Sequence, residues 1–175
     1  MTKNKPEHPW HVPVAVDDIP EAGLHREIEA PAEVRADIAR LAGLRELPRL
    51  SAVFDLSRRG AGVQVAGTVR AAVGQTCVVT LEPLESRVEE PVDVLFTPQV
   101  AEGSVDVDAD EEPPEPLIGG KVDLGAIATE FLLLGIDPYP RKPGAQFAAP
   151  QADTGGAHPF AALEALKKRP GGGQP

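Results

Sequence analysis

Cysteine is nearly missing from this chain: Cys77 is the only one among 175 residues. That excludes an intramolecular disulfide and any site built on several thiolates, and it suits a reducing compartment. Aromatic residues are scarce too, with one Trp, one Tyr and five Phe, so a core must be filled mainly by Val, Leu and Ala. No run of about 18 apolar residues occurs, which leaves nothing to span a membrane as a helix. The N-terminal stretch MTKNKPEHPWHVPVAV carries lysines but neither an apolar region nor a small-residue cleavage site. The expectation is therefore a cytoplasmic protein with no secretory signal.

Catalytic chemistry has little to draw on. Of the four histidines, His8, His11 and His25 lie in the N-terminal third and His158 near the other end, none of them on the core of the sheet predicted below. There is no HExxH, phosphate loop, GxSxG or dinucleotide fingerprint. Cys77 has no histidine or basic activator close in sequence and reads as a thiol buried in a strand. Carboxylate pairs such as Glu89-Glu90 read as solvated faces. Asp106, Asp108 and Asp110 have the opening spacing of a calcium loop, but Glu111 replaces the required glycine and Leu117 the closing glutamate. The expectation is a protein that is not an enzyme, with no catalytic residue, cofactor or metal.

Glycine (17) and proline (19) together make about a fifth of the chain, concentrated at both ends and in one acidic stretch. The ordered part is then roughly 120–140 residues, one domain that buries about two-thirds of its unfolded surface without staples. The boundaries read as a disordered N-terminus over residues 1–9 and a single domain over 10–147. Within that domain 101–116 is an acidic loop, and 148–175 is a flexible tail carrying a short helix at 158–168. A net charge of −10 argues against a broad basic face for nucleic acid, because phosphate contacts dominate such binding. It fits a soluble surface or a basic partner.

Within the domain, Val12, Val14 and Val16 alternate as a short strand that Pro13 confines to an edge. Pro31 can open a helix on which Val34, Ile38 and Leu41 share a face and which Gly43 stops. Leu50, Ala52, Phe54 and Leu56 alternate with polar positions. After a turn at residues 57–62 the alternation resumes in Val63, Val65, Val69, Ala71 and Val73, the pattern of a hairpin with one buried face. The second strand is read as bulging at Gly74-Gln75 and continuing from Thr76 to Leu81. A turn at residues 82–86 then leads into a strand through Val88, Val92, Val94 and Phe96, where Pro91 favours an edge or a bulge. Asp123 can cap a second helix carrying Leu124, Ile127, Phe131 and Leu134, ended by Gly135 and Pro138. Leu132 and Leu133 spread apolar surface beyond that stripe, and burial on two sides is the favoured explanation. The fold class is α+β: an antiparallel sheet of four or more strands, open or curled toward a barrel, covered by two main helices.

Basic residues come in small sets, Arg58-Arg59, Arg70, Arg141-Lys142 and Lys167-Lys168-Arg169. Tyr139 beside Arg141 offers a stacking surface within a proline-stiffened segment. Tyr139, Arg141, Lys142, Arg58, Arg59, Lys167 and Lys168 are accordingly the candidate contacts to RNA or to a protein.

The stretch GTVRAAVGQTCVVTLEPLESRVEEPVDVLF followed by an acidic insert resembles the bacterial YceD family, the large ribosomal RNA subunit accumulation proteins. Further pieces resemble its C-terminal signature: Pro116-Leu117, Val122-Asp123-Leu124-Gly125, Glu130-Phe131-Leu132 and Pro138-Tyr139-Pro140-Arg141. Residues His158 to Lys168 resemble its terminal segment, so the likeness runs from about Trp10 to Lys168. Many relatives carry Cys-x-x-Cys where Cys77 stands; here Thr80 takes the second place, which removes the simplest metal or redox role, while Leu81 fits. The resemblance implies a non-enzymatic factor for synthesis, processing or assembly of large-subunit (23S) ribosomal RNA. Its implied partners are that RNA or ribosomal proteins. The competing expectation is an acidic adaptor for a basic partner unrelated to ribosomes. A hydrolase or redox enzyme would require Cys77 to be exposed beside a base. The sequence leaves the oligomeric state open.

Overall fold

The structure, a computed structural model, describes residues 8–98 and 114–147. In chain order the elements are β1 (Pro13–Ala15), a 3-10 turn (Val16–Asp18), β2 (Leu24–Glu29) and α1 (Ala32–Leu41). They continue with β3 (Glu46–Arg59), β4 (Gly62–Thr76), β5 (Pro83–Pro98), β6 (Glu115–Leu117), β7 (Lys121–Asp123) and α2 (Leu124–Gly135). The main sheet has the order β2-β3-β4-β5-β6, antiparallel throughout except for the parallel pairing of β6 on β5. β1 and β7 form a separate antiparallel ribbon of two strands. The class is α+β, and the sheet stays open: β2 and β6 are its edges and do not pair with each other.

The central hairpin follows from its period-two pattern. Leu50, Ala52, Phe54 and Leu56 of β3 lie on one face with Val63, Val65, Val69, Ala71 and Val73 of β4, all of them buried. The turn predicted over residues 57–62 shrinks to Gly60-Ala61, because Ser57, Arg58 and Arg59 stay in the ladder opposite Gln64, Val63 and Gly62. A left-handed φ of +59° at Gly60 suits such a tight reversal. The expected irregularity at Gly74-Gln75 falls instead on β3, where the register shifts between Glu46 and Arg49. Pro91 lies in β5 opposite Thr68 without a bulge, in a stretch of β5 that has no described strand on its other side, a position where proline is tolerated in a sheet.

The strand predicted from Thr76 to Leu81 ends at Thr76, and residues 78–80 form a turn. The turn predicted at residues 82–86 is already β5, which starts at Pro83. β2 was not expected. The described end of the acidic loop also differs from expectation, since Glu115 and Pro116 belong to β6. Residues 101–113 of the acidic stretch, the 1–9 segment apart from His8 and Pro9, and the 158–168 helix with Lys167 and Lys168 lie outside the described residues.

Helix α1 packs on β3 and helix α2 on β4 and β5. Ile38 of α1 is buried, but Leu41 at its last position projects to solvent. Arg35 fixes the helix by donating to the carbonyls of Leu47 and Ala30. On α2 the buried stripe is Leu124, Ile127, Ala128 and Leu132, with Phe131 partly buried. It is rotated from the predicted one, so Leu132 enters the core and Leu134 is exposed. Gly135 lets the end of α2 approach β5, since a Cβ there would stand 2.5 Å from Val88 Cγ1.

The N-terminal segment closes the start of α2. Asp123 Oδ1 accepts from the N–H groups of Gly125 (3.1 Å) and Ala126 (3.2 Å), the predicted cap, and also from Val12 N–H at 2.8 Å. Its Oδ2 lies 2.7 Å from His11 Nδ1. Leu124 N–H donates to Val12 C=O, and Trp10 is buried.

Candidate functional site

Two segments about 60 residues apart in sequence meet at one end of the sheet: the turn after β4 and the proline-rich run after α2. Val78 N–H donates to Pro140 C=O at 2.9 Å, and Gln75 Nε2 donates to Asp137 C=O at 2.8 Å. Gln75, itself buried, also accepts from Ser86 Oγ. Asp137 Oδ1 accepts the Tyr139 N–H at 2.8 Å, which bends the run back toward the turn. The turn is closed by Cys77 N–H to Glu82 C=O and by Leu81 N–H to Cys77 C=O, both 2.9 Å.

Cys77 is the post around which this junction is tied. Its Sγ accepts from the N–H of Thr80 within the turn and from the N–H of Lys142 in the opposite run, both at 3.4 Å. The thiol is fully buried, as expected, although it stands in a turn and not in a strand. A hydrogen bond from the Thr80 side chain, aided by the Lys142 and Thr80 N–H groups, lowers its pKa to about 6 against the opposing effect of burial. Lys142 Nζ reaches Glu82 Oε2 at 3.0 Å, and this partner is the main reason the Glu82 carboxyl is held below its usual value. Lys142 thus supplies a second tie across the junction.

What the junction presents outward is apolar and cationic. Leu81 is 76% exposed, Tyr139 70% and Val78 44%. Leu81 is also the one non-glycine residue with a left-handed backbone among the described residues, at φ +59°. That conformation costs a side chain with a Cβ about 1–2 kcal/mol, and burial of the leucine does not offset it. Arg141 is exposed beside them and forms no salt bridge among the described residues.

The predicted contact residues therefore divide. Tyr139, Arg141 and Lys142 come together here, with Lys142 occupied by Glu82. Arg58 does not join them: its Nε donates to Ile19 C=O at 2.7 Å and its Nη2 to Asp17 C=O at 3.1 Å, which fastens the 3-10 turn to β3. Arg59 is exposed near the tip of the hairpin. Val78 and Leu81 were missed, because Val-Val-Thr-Leu reads as a continuing strand and leucine gives no signal for a left-handed turn.

The sheet face turned away from the buried stripe is polar. His25 and Asp55, on paired strands, share a 2.7 Å hydrogen bond, with Glu27 at 3.5 Å. Hydrogen bonds to Asp55 and then Glu27 raise the His25 pKa above its ordinary value. Farther along, a shallow trough of about 820 Å³ is lined by residues such as Ser51, Val53, Ala72 and Arg87. It has no aromatic side chain on which a base could stack. Among the described residues no cluster of three or more His, Cys, Asp or Glu could hold a metal ion, and no helix is long and apolar enough to cross a membrane.

Among known families, the model described as Large ribosomal RNA subunit accumulation protein YceD matches residues 65–167. The matched region takes in both halves of the Cys77 junction. No curated protein and no solved structure matches the chain.

Proposed function

The chain belongs to the YceD family, and on that premise we propose that it is a non-enzymatic factor for the synthesis, processing or assembly of large-subunit ribosomal RNA. It works in the cytoplasm by binding a component of the large-subunit precursor, ribosomal RNA or ribosomal protein. The observation that supports a binding role is the Cys77 junction: hydrogen bonds between distant segments hold Leu81, Tyr139 and Val78 out into solvent. Exposed large apolar side chains on a rigid support are the composition of an interface centre. The thiol at its heart is fully enclosed and among the described residues is held by amide and hydroxyl groups, an arrangement suited to holding a turn in shape.

Deleting the gene and measuring mature large-subunit RNA relative to small-subunit RNA tests the reading. The ratio should fall, and a chain carrying Leu81→Gly with Tyr139→Ala should fail to restore it. An unchanged ratio in the deletion strain refutes the role. Affinity purification separates this function from a general acidic adaptor, because only the ribosomal role enriches large-subunit components.

A further inference from the structure

We propose that the face formed by Val78, Leu81, Tyr139 and Arg141 binds protein and not RNA, its partner being a protein of basic overall charge that offers an apolar socket to Leu81 and Tyr139 and a carboxylate to Arg141. The inference rests on the functional reading above and deepens it by choosing the class of partner.

The choice follows from what the face can offer each kind of molecule. Affinity for RNA comes chiefly from neutralised phosphates, and sequence-tolerant contact adds aromatic side chains on which bases stack. This face has one aromatic ring and one cation without a salt bridge among the described residues, since Lys142 is held by Glu82. It sits on a chain of net charge −10, whose long-range field repels a polyanion and attracts a basic protein. Leu81 and Val78 would gain nothing against phosphate and ribose. Against a protein socket, an exposed leucine held in place beforehand by its backbone gives up apolar surface to the partner at little cost in lost freedom. Tyr and Arg beside an aliphatic side chain are also the residue types that dominate protein–protein interface centres.

The left-handed leucine makes a clean test possible. Leu81→Gly removes the side chain while relieving the backbone, so it should leave the fold intact or steadier. The full chain would be titrated against large-subunit precursor particles and, separately, against RNA extracted from the same particles. Binding to particles is expected, with a shallow salt dependence and at least a tenfold loss for Leu81→Gly and for Tyr139→Ala. Arg141→Lys should cost less than Tyr139→Ala. Binding to the protein-free RNA should be weaker than binding to particles by tenfold or more.

Equal affinity for the protein-free RNA, with a steep salt dependence, would overturn the choice of partner while leaving the ribosomal role standing. Full binding by both Leu81→Gly and Tyr139→Ala would overturn the assignment of the face, as would absence of binding to particles. The large-to-small subunit RNA ratio in the deletion strain is read independently, so failure of the broader reading is seen separately.

Discussion

Asp123 has the most connected side chain described above, and its removal gives a quantitative test of how the fold is closed. Replacing it with alanine strips the N-cap from α2, a loss of about 0.5–2 kcal/mol. It also orphans the half-buried Val12 N–H, which adds about 1 kcal/mol. The paired His11 is exposed on the other side and contributes little by comparison. The sum is about 1.5–3 kcal/mol, measurable as a shifted midpoint in urea unfolding at pH 7. Asp123→Asn, which keeps an accepting oxygen, should lose less.

The same carboxylate predicts a pH signature. Burial pushes the Asp123 pKa up, but the hydrogen bonds from His11, Val12 and Ala126 outweigh it, and the net shift is downward. The stability it contributes is therefore present above the unfolded value of about 3.9 and is lost as pH falls through the lower folded value. The difference between the natural chain and Asp123→Ala should hold from pH 7 to about 5 and shrink below pH 4. A loss under about 0.5 kcal/mol at pH 7, or a difference that stays constant down to pH 2, would show that the N-terminal segment is not fastened in this way.

Other expectations test separate parts of the structure. Leu132→Ala should cost about 2–5 kcal/mol in urea unfolding, whereas Leu134→Ala should stay within about 0.5 kcal/mol; the reverse order would mean that α2 is rotated. Gly67→Ala should cost about 3 kcal/mol or more or prevent folding, because its Cβ would press on Val53 C=O and on the Phe54 ring. Soluble, cooperative unfolding at the natural midpoint would refute that packing. His25 should titrate above its ordinary value by NMR, and Asp55→Asn should bring it down. Its pairing supports the fold fully below the unfolded pKa near 6.5, and that support fades as pH rises through the higher folded value.

How much of this could be read from the sequence varies with the physics of each element. The central hairpin was legible because one face of β3 and β4 is wholly apolar, and a period of two leaves only one register that buries it. The Asp123 cap was legible because capping is local. β2 was not: Leu-His-Arg-Glu-Ile-Glu has two apolar positions in six, since an edge strand on a half-covered sheet buries little. Leu41 and Leu134 fall on the expected helical stripes by spacing, yet both are exposed: Leu41 is the last residue of α1, and the buried face of α2 is turned toward Leu132. Tyr139, Arg141 and Lys142 were found through their composition. The junction with Val78 and Leu81 was not, because no spacing rule relates segments brought together by tertiary hydrogen bonds. Arg58 looked like a free cation in a turn and is instead committed to two carbonyls, which composition cannot reveal.

The fastening of the first strand to the seventh also has a meaning in time. His11 and Val12 find their partner 112 and 111 residues later, and among the described residues β1 has no strand partner except β7. A chain made at 5–20 residues per second leaves its N-terminal segment waiting roughly 5–20 s for Asp123 to be synthesised. Contacts of such long range slow folding, so closure by Trp10, Val12 and Val14 is a late event, coming after the β3-β4-β5 meander can already have formed. Truncation before Asp123 should leave exposed the part of that meander that α2 covers, a species recognised by chaperones and prone to aggregate. Dependence on a residue so late in the domain thus makes the native state a report that the chain has been translated past Asp123.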